Sequence, residues 1–392
     1  MLMLEGLVIV DATRYLSGPF CTMILGDLGA DVIKIEAPAG GDEARKFPPY
    51  INGESAYFMS INRNKKSITL NLKHKEGKNV FKKIVKNADV FVHNNRPGAM
   101  ERLGLDYRAL SVLNQGLIYA SISGFGQNGP YKEKGAFDMI VQALGGIMSI
   151  TGTPDGEPIR VGYSITDLTA GLYAAIGILG ALYKRMDTGK GENLDIAMLD
   201  CQVSLMENAV ARYMATGEIP KPLGNRHPSI APFQAFKAKN GFFVLATAND
   251  KQFELLCKAI DKDLYMDEKY SSNYKRVENI DQLNSVLNEV FVKKVKEYWI
   301  KVFEEAGVPC GLINNTKELV EDVQVAARNM IVDFDHPLSG KVTVAGCPIK
   351  ILESEASEFK PSPTLGQHTE DTLRWVGFSS AEITRLRNNG AC

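Results

Sequence analysis

A parallel-sheet α/β fold accompanied by a smaller α+β unit is what the sequence predicts, on three observations. Short apolar runs alternate with helix-like segments over the first two hundred residues, and the spacing between runs suits helical crossovers. Beyond residue 225 the pattern changes to hairpin and capping signals. The first run, Leu7-Val8-Ile9-Val10, fits a strand buried on both faces. Pro19 opens a helix with Phe20, Met23, Ile24 and Leu28 on one face, and Gly29 closes it. Val32-Ile33-Lys34-Ile35 completes a βαβ unit. A helix near Lys75–Asn87 and strands at Val90–His93 and Leu117–Ser121 repeat the cycle.

In the smaller unit, Asn240-Gly241 between two apolar runs is a hairpin signal. Asn249-Asp250 caps a helix carrying Phe253, Leu256 and Ile260, and Leu283, Val286, Leu287, Val290 and Phe291 recur at helical spacing. Val308–Ile313 reads as a strand, and Asn315 with Glu318 as a capping box. Lys360-Pro361-Ser362-Pro363 leads into a short C-terminal segment.

Composition narrows the function. Lys+Arg 45 against Asp+Glu 46 excludes a broad surface for nucleic acid or an anionic membrane, leaving room for a local basic pocket. Six scattered cysteines without CxxC spacing argue against structural zinc and point to buried free thiols. The N-terminus lacks a secretory pattern, and the apolar stretch Leu168–Tyr183, interrupted by Gly171, Gly177 and Gly180, reads as a buried helix; a cytoplasmic protein is expected.

Gly124-Phe125-Gly126-Gln127-Asn128-Gly129 fits GxGxxG, but Pro130-Tyr131-Lys132 follows where a dinucleotide site needs a helix N-terminus, so it reads as a turn. Asp167 precedes the small-residue helix. It reads first as an N-cap, and second as a carboxylate placed where a helix start stabilises developing negative charge. Lys73, Asn94, Arg96 and Arg102 flank predicted strand ends, where ligands of open α/β sheets bind, and as a set suit a phosphate-bearing ligand. Gly-x-Ser-x-Gly is absent, which disfavours an ordinary α/β-hydrolase.

Ordered motifs then carry a resemblance. Ser17-Gly18-Pro19 through Gly29-Ala30-Asp31-Val32-Ile33-Lys34-Ile35-Glu36, Asn64-Lys65-Lys66-Ser67-Ile68 and Ala88-Asp89-Val90 through Arg96-Pro97-Gly98 come first. Ser123-Gly124-Phe125-Gly126 through Gly129-Pro130-Tyr131, Asp167 with its helix, Gly189-Lys190-Gly191-Glu192 and Gly224-Asn225-Arg226-His227-Pro228-Ser229-Ile230-Ala231-Pro232 follow. With this set the chain resembles the class III CoA-transferases, the formyl-CoA and carnitine CoA-transferase type. The resemblance implies that CoA moves from an acyl-CoA donor to a free carboxylic acid through covalent intermediates on Asp167, with Asp138 as a possible supporting acid and no tightly bound cofactor. It implies a CoA site of Ala37, Leu70, Lys73, Asn94, Asn95, Arg96, Arg102, Leu103 and Phe137, with Lys73 and Arg102 toward the phosphates and Leu16 in the substrate pocket. Ala37 stands where some members place an Arg, and Leu16 where formyl-CoA transferase has a Gln, which weakens formate or oxalate as substrates.

The resemblance also implies a large Rossmann-like domain from residues 1–200 and 326–392, a linker at 201–224, a small α+β domain at 225–325, and an interlocked homodimer of ring-shaped subunits. Two rivals are an α-methylacyl-CoA racemase and a non-catalytic CoA-binding protein. The racemase motif Gly-His-Asp corresponds to Ala136-Phe137-Asp138, and phenylalanine cannot carry a proton.

Overall fold

The structure, a computed structural model, describes residues 2–352 and 359–392. The chain divides into two units, one of residues 1–147, 160–215 and 327–392, the other of 148–159 and 216–326. The first unit is therefore assembled from three separate segments.

Its centre is a six-stranded, all-parallel sheet of β1 (Val8–Ala12), β2 (Asp31–Glu36), β3 (Lys65–Thr69), β4 (Val90–His93), β5 (Ile118–Ser123) and β6 (Asn193–Ala197), in the order β3-β2-β1-β4-β5-β6. The order reverses between β1 and β4, which opens a crevice at their carboxyl ends. One face packs on α2 (Lys75–Lys86) through Val80, Phe81, Ile84 and Val85, with Leu373, Ile383 and Leu386 from the C-terminal segment. The other packs on α1 (Ser17–Asp27) and α4 (Ile165–Thr188) through Cys21, Leu25, Ala170, Ala174 and Ile178. α4 runs 24 residues, longer than the apolar stretch in the sequence, and is long and apolar enough to cross a membrane by length and composition; its small-residue face lies against α1. A Cβ at Gly171 would stand 2.7 Å from the Ser17 carbonyl oxygen, so glycine there lets the two helix starts approach.

Three expectations need correction, and two strands were not foreseen. α1 begins at Ser17, not Pro19, because first-turn N–H groups lack helical acceptors and proline is tolerated throughout that turn. β3 and β6 carry too many polar residues to stand out as strands. Residues 201–215, expected within a linker, belong to the first unit: α5 (Met198–Leu205) buries Cys201 and Gln202, and Gln202 donates to the Gln142 carbonyl at 3.3 Å. The second unit also takes in residues 148–159.

The second unit contains a three-stranded antiparallel sheet of β7 (Phe233–Ala238), β8 (Gly241–Ala246) and β9 (Cys310–Leu312), ordered β9-β8-β7. Gly241 turns the hairpin with φ of 149°, and Phe236, Phe243, Phe291, Trp299 and Phe303 form an aromatic core. Asn315 and Glu318 form the expected capping box.

Candidate active site

The loops at the carboxyl ends of β1, β4 and β5 frame a cavity of about 480 Å³ in the first unit. Asp167 lines it. The residue is not the N-cap: Ser164 holds that position, and Asp167 lies in the first turn of α4. Its helix N–H groups are served instead by Asp138, whose Oδ1 accepts the N–H and hydroxyl of Thr166 at 2.9 and 2.7 Å. Asp138 Oδ2 accepts the amide of Gln142 at 2.7 Å, and Gln142 Oε1 accepts the Val161 N–H at 2.9 Å. Asp138 thus orders the approach to the helix, and the Asp167 carboxylate is left to the cavity.

Burial pushes the Asp167 carboxyl up to about 7, the charge of Asp138 adds to this, and a hydrogen bond from the Ser17 hydroxyl opposes it. A carboxylate raised this far is more basic, and so more nucleophilic, than one in water while still ionised near neutral pH. The surrounding wall is aromatic: Phe47 lies between Tyr15 and Tyr57, with ring centroids 6.1 and 5.7 Å away, and Tyr15 meets Phe137 edge-on at 6.3 Å. Burial, then the charges of Asp167, Asp42 and Asp138, push the Tyr57 phenol up to about 12, so it keeps its proton facing the carboxylates.

The floor beneath is a buried ionic network. Lys65 Nζ reaches Asp11 Oδ2 at 3.0 Å, the Pro19 carbonyl at 2.9 Å and Asn62 Oδ1 at 2.9 Å. Lys34 Nζ reaches the Thr13 carbonyl at 2.8 Å and Asp42 Oδ2 at 2.9 Å. Asp11 accepts from Thr13 N at 2.8 Å, from the Thr13 hydroxyl, and from the Thr22 hydroxyl at 2.7 Å. Burial alone would raise the Asp11 carboxyl, but Lys34, Lys65 and the two hydroxyls hold it well below the usual carboxylate range. Asp42 Oδ1 accepts the N–H of Tyr15, which sits at a left-handed φ of 66°. The network therefore fixes the loop that delivers Ser17 to Asp167, at a backbone geometry that an unsupported tyrosine avoids.

Asn94, Asn95, Arg96, Phe137 and Leu16 line the same cavity as Asp167 and Asp138. Ala37, Leu70, Lys73, Arg102 and Leu103 do not. Ala37 and Leu70 directly follow β2 and β3 on the same carboxyl edge, and Lys73 and Arg102 are exposed nearby in the chain. Leu70 is 2% exposed within the core, so its side chain offers a ligand no surface. His93 ends β4 as expected; burial holds its ring down to about 4, and Nδ1 accepts the Asn95 N–H at 3.3 Å, so a neutral imidazole anchors the turn. Tyr15, Phe47, Tyr57 and Arg160 carried no local signal. Ser17 stood in a motif without an assigned role. Gly124–Gly129 forms a turn, with Gly126 and Gly129 at positive φ and the next helix, α3 (Asp138–Leu144), starting well beyond it. A separate cavity of about 740 Å³, lined among others by Asp27, Phe334 and Cys347, places none of these groups together.

The family model of CoA-transferase family III matches residues 4–369. The chain is 42% identical over 390 residues to the succinyl-CoA:glutarate CoA-transferase of Mus musculus, covering 99% of this chain and 89% of the mouse protein. It is 44% identical over 349 residues to the acetyl-CoA:oxalate CoA-transferase of Acetobacter aceti, covering 88% of each. A crystal structure of a CAIB/BAIF family protein from Brucella suis superposes with a TM-score of 0.85 at 37% identity, covering 96% of this chain and 99% of that one. The matched residues take in the whole parallel sheet and its crevice, and the chain belongs to CoA-transferase family III and is a CoA-transferase.

Proposed function

We propose that the chain transfers CoA between dicarboxylic acids, from succinyl-CoA to glutarate or a similar acceptor, through covalent intermediates on Asp167. The observation that carries the mechanism is the raised Asp167 carboxylate, facing a cavity beside a Ser17 donor at the start of a 24-residue helix. The substrate class is supported by the relatives from Mus musculus and Agrobacterium fabrum, whose names pair succinate or succinyl-CoA with glutarate.

The steps balance without water or redox change. An Asp167 oxygen attacks the thioester carbonyl, the C–S bond breaks, and a mixed anhydride and CoA thiolate form. The thiolate attacks the Asp167 carbonyl carbon, expelling succinate and leaving an aspartyl-CoA thioester. The acceptor carboxylate attacks this thioester, the C–S bond breaks, and a second mixed anhydride and CoA thiolate form. The thiolate attacks the acceptor's carbonyl carbon, giving the new acyl-CoA and releasing the Asp167 carboxylate. The Ser17 hydroxyl and the α4 N-terminus offer stabilisation to the negative charge that develops. Asn94, Asn95 and Arg96 sit where the CoA chain enters along the strand ends.

Purified protein incubated with succinyl-CoA and glutarate is expected to yield glutaryl-CoA and free succinate in equal amounts by mass spectrometry. Succinate and free CoA without glutaryl-CoA would indicate hydrolysis and overturn the reading.

Self-association belongs to the same proposal. α4 leaves Leu172, Tyr173, Ile176, Tyr183 and Met186 exposed, and α6 (Glu207–Thr216) leaves Val210, Tyr213 and Met214 exposed, apolar side chains at a density that marks an interface. A second copy is the proposed partner. Sedimentation is expected to give twice the 43.1 kDa chain mass at micromolar concentration; a stable folded monomer would refute the homodimer.

A further inference from the structure

A dicarboxylic substrate brings two carboxylates into the cavity, and Asp167 reacts with only one end. The remote carboxylate must lose water on entering and needs a cation to replace it. Arg14, Arg96, Lys132, Lys134 and Arg160 are the cations that line the cavity. Arg14 is paired with Glu43 at 3.0 Å. The Lys134 ammonium rests over the Tyr131 ring, 3.5 Å from its centroid. Arg96 lies in the turn after β4, at the strand-end side of the cavity.

Lys132 sits in the glycine turn, its N–H on the Gly129 carbonyl. Arg160 is set apart from the other cations by its tie to the catalytic end. It lies seven residues before Asp167 on the strand of chain that leads into α4. Its neighbour Val161 is tied through its N–H to Gln142, a fully buried side chain held in turn by Asp138. The backbone that carries Arg160 is therefore fixed to the catalytic end. Its Nη2 donates to the Gly162 carbonyl at 2.9 Å, and among the described residues no carboxylate forms an ion pair with it, neither Asp138 nor Asp167 included. A guanidinium with donors to spare, sharing a cavity with the nucleophile but not bonded to it, suits bidentate capture of a carboxylate held several carbons from the reacting one.

We propose that Arg160 binds the remote carboxylate of the dicarboxylic substrates and so selects them over monocarboxylic acids. This rests on the dicarboxylate-transfer reading above. The test compares glutarate with pentanoate, which replaces the remote carboxylate by a methyl group, as acceptors from succinyl-CoA in wild type, Arg160→Lys and Arg160→Gln. The ratio of kcat/KM for glutarate over pentanoate is expected to fall by about 10- to 100-fold in Arg160→Gln, mainly through the KM for glutarate, with Arg160→Lys between the two. A variant that lost activity by misfolding would lose both acceptors alike and leave the ratio where it was. An unchanged ratio in an Arg160→Gln whose circular dichroism and urea midpoint match wild type, with wild type using glutarate, overturns the role of Arg160 alone. A wild type that transfers CoA to pentanoate as well as to glutarate overturns the dicarboxylate reading itself.

Discussion

Asp167→Asn is expected to abolish CoA transfer, by about 10⁴-fold or more, and at the same time to stabilise the folded protein above neutral pH. Both effects come from one carboxylate. Asparagine keeps the size of the side chain but cannot form the anhydride, so neither half-reaction proceeds. The stability effect follows from linkage. The folded-state value of about 7 lies above the ordinary 3.8, so between these two the folded protein binds the extra proton and the unfolded chain does not. Folding stability therefore falls as pH rises through that window, and the whole penalty is present above pH 7. For a carboxylate partly open to solvent the penalty is about 2 kcal/mol. The wild type and Asp167→Asn should have matching urea midpoints near pH 4 and diverge up to pH 7, the variant being the more stable. The kcat/KM of the wild type should rise with pH to a plateau above about 7, as Asp167 ionises. Equal midpoints at pH 8, or a residual activity near wild type, would remove Asp167 from the centre of the reaction.

Asp11→Ala is expected to cost about 3–5 kcal/mol of stability, because it strands two buried lysines whose charges it shares. Lys34 retains Asp42, but Lys65 retains only a carbonyl and an amide oxygen. Even with Asp11 present, burial lowers Lys65 to about 8, so its ammonium is poorly compensated without that partner. The double variant Asp11→Ala with Lys65→Met removes the orphaned charge and should recover part of the loss, a coupling that a cycle of the two single variants and the double measures directly. Activity should fall in Asp11→Ala beyond the loss of folded protein, since Asp11 holds Thr13 and the loop that presents Ser17. An unfolding free energy within about 1 kcal/mol of wild type would show that the network is not what holds this loop.

Much of the sheet is legible in the sequence because its strands are apolar runs with a local period: β1, β2 and β4 read directly, as do α2 and the Asn240-Gly241 hairpin. β3 does not, because Lys65 and Lys66 sit where a buried strand would show aliphatic residues. The compensating carboxylates, Asp11 and Asp31, are far away in the chain. The site divides in the same way. Asp167, Asn94 and Arg96 are visible through motif and strand-end position. The distinction between a capping and a reacting carboxylate at Asp167 depends on Asp138, 29 residues earlier, taking over the helix start, and that is a property of the folded chain. Tyr57 reaches the cavity from a segment with no strand-end signal, and Arg160 from one that reads as plain loop.

The three-segment construction of the first unit bears on how the chain is made. β3 is an edge of the sheet, and its open side is closed by residues that come about 300 positions later. Ser67 N–H donates to His368 Nδ1 at 3.2 Å, Thr69 N–H to Thr369 Oγ1 at 3.0 Å, and the Ser67 carbonyl accepts the His368 N–H at 2.9 Å. At about 5–20 residues per second, a ribosome needs roughly 15–60 s to add 300 residues after β3. Through that interval the nascent sheet exposes an unpaired strand edge, a template for pairing with neighbouring chains on the same message. The open edge of β3 is thus a hazard of synthesis rather than of the finished fold.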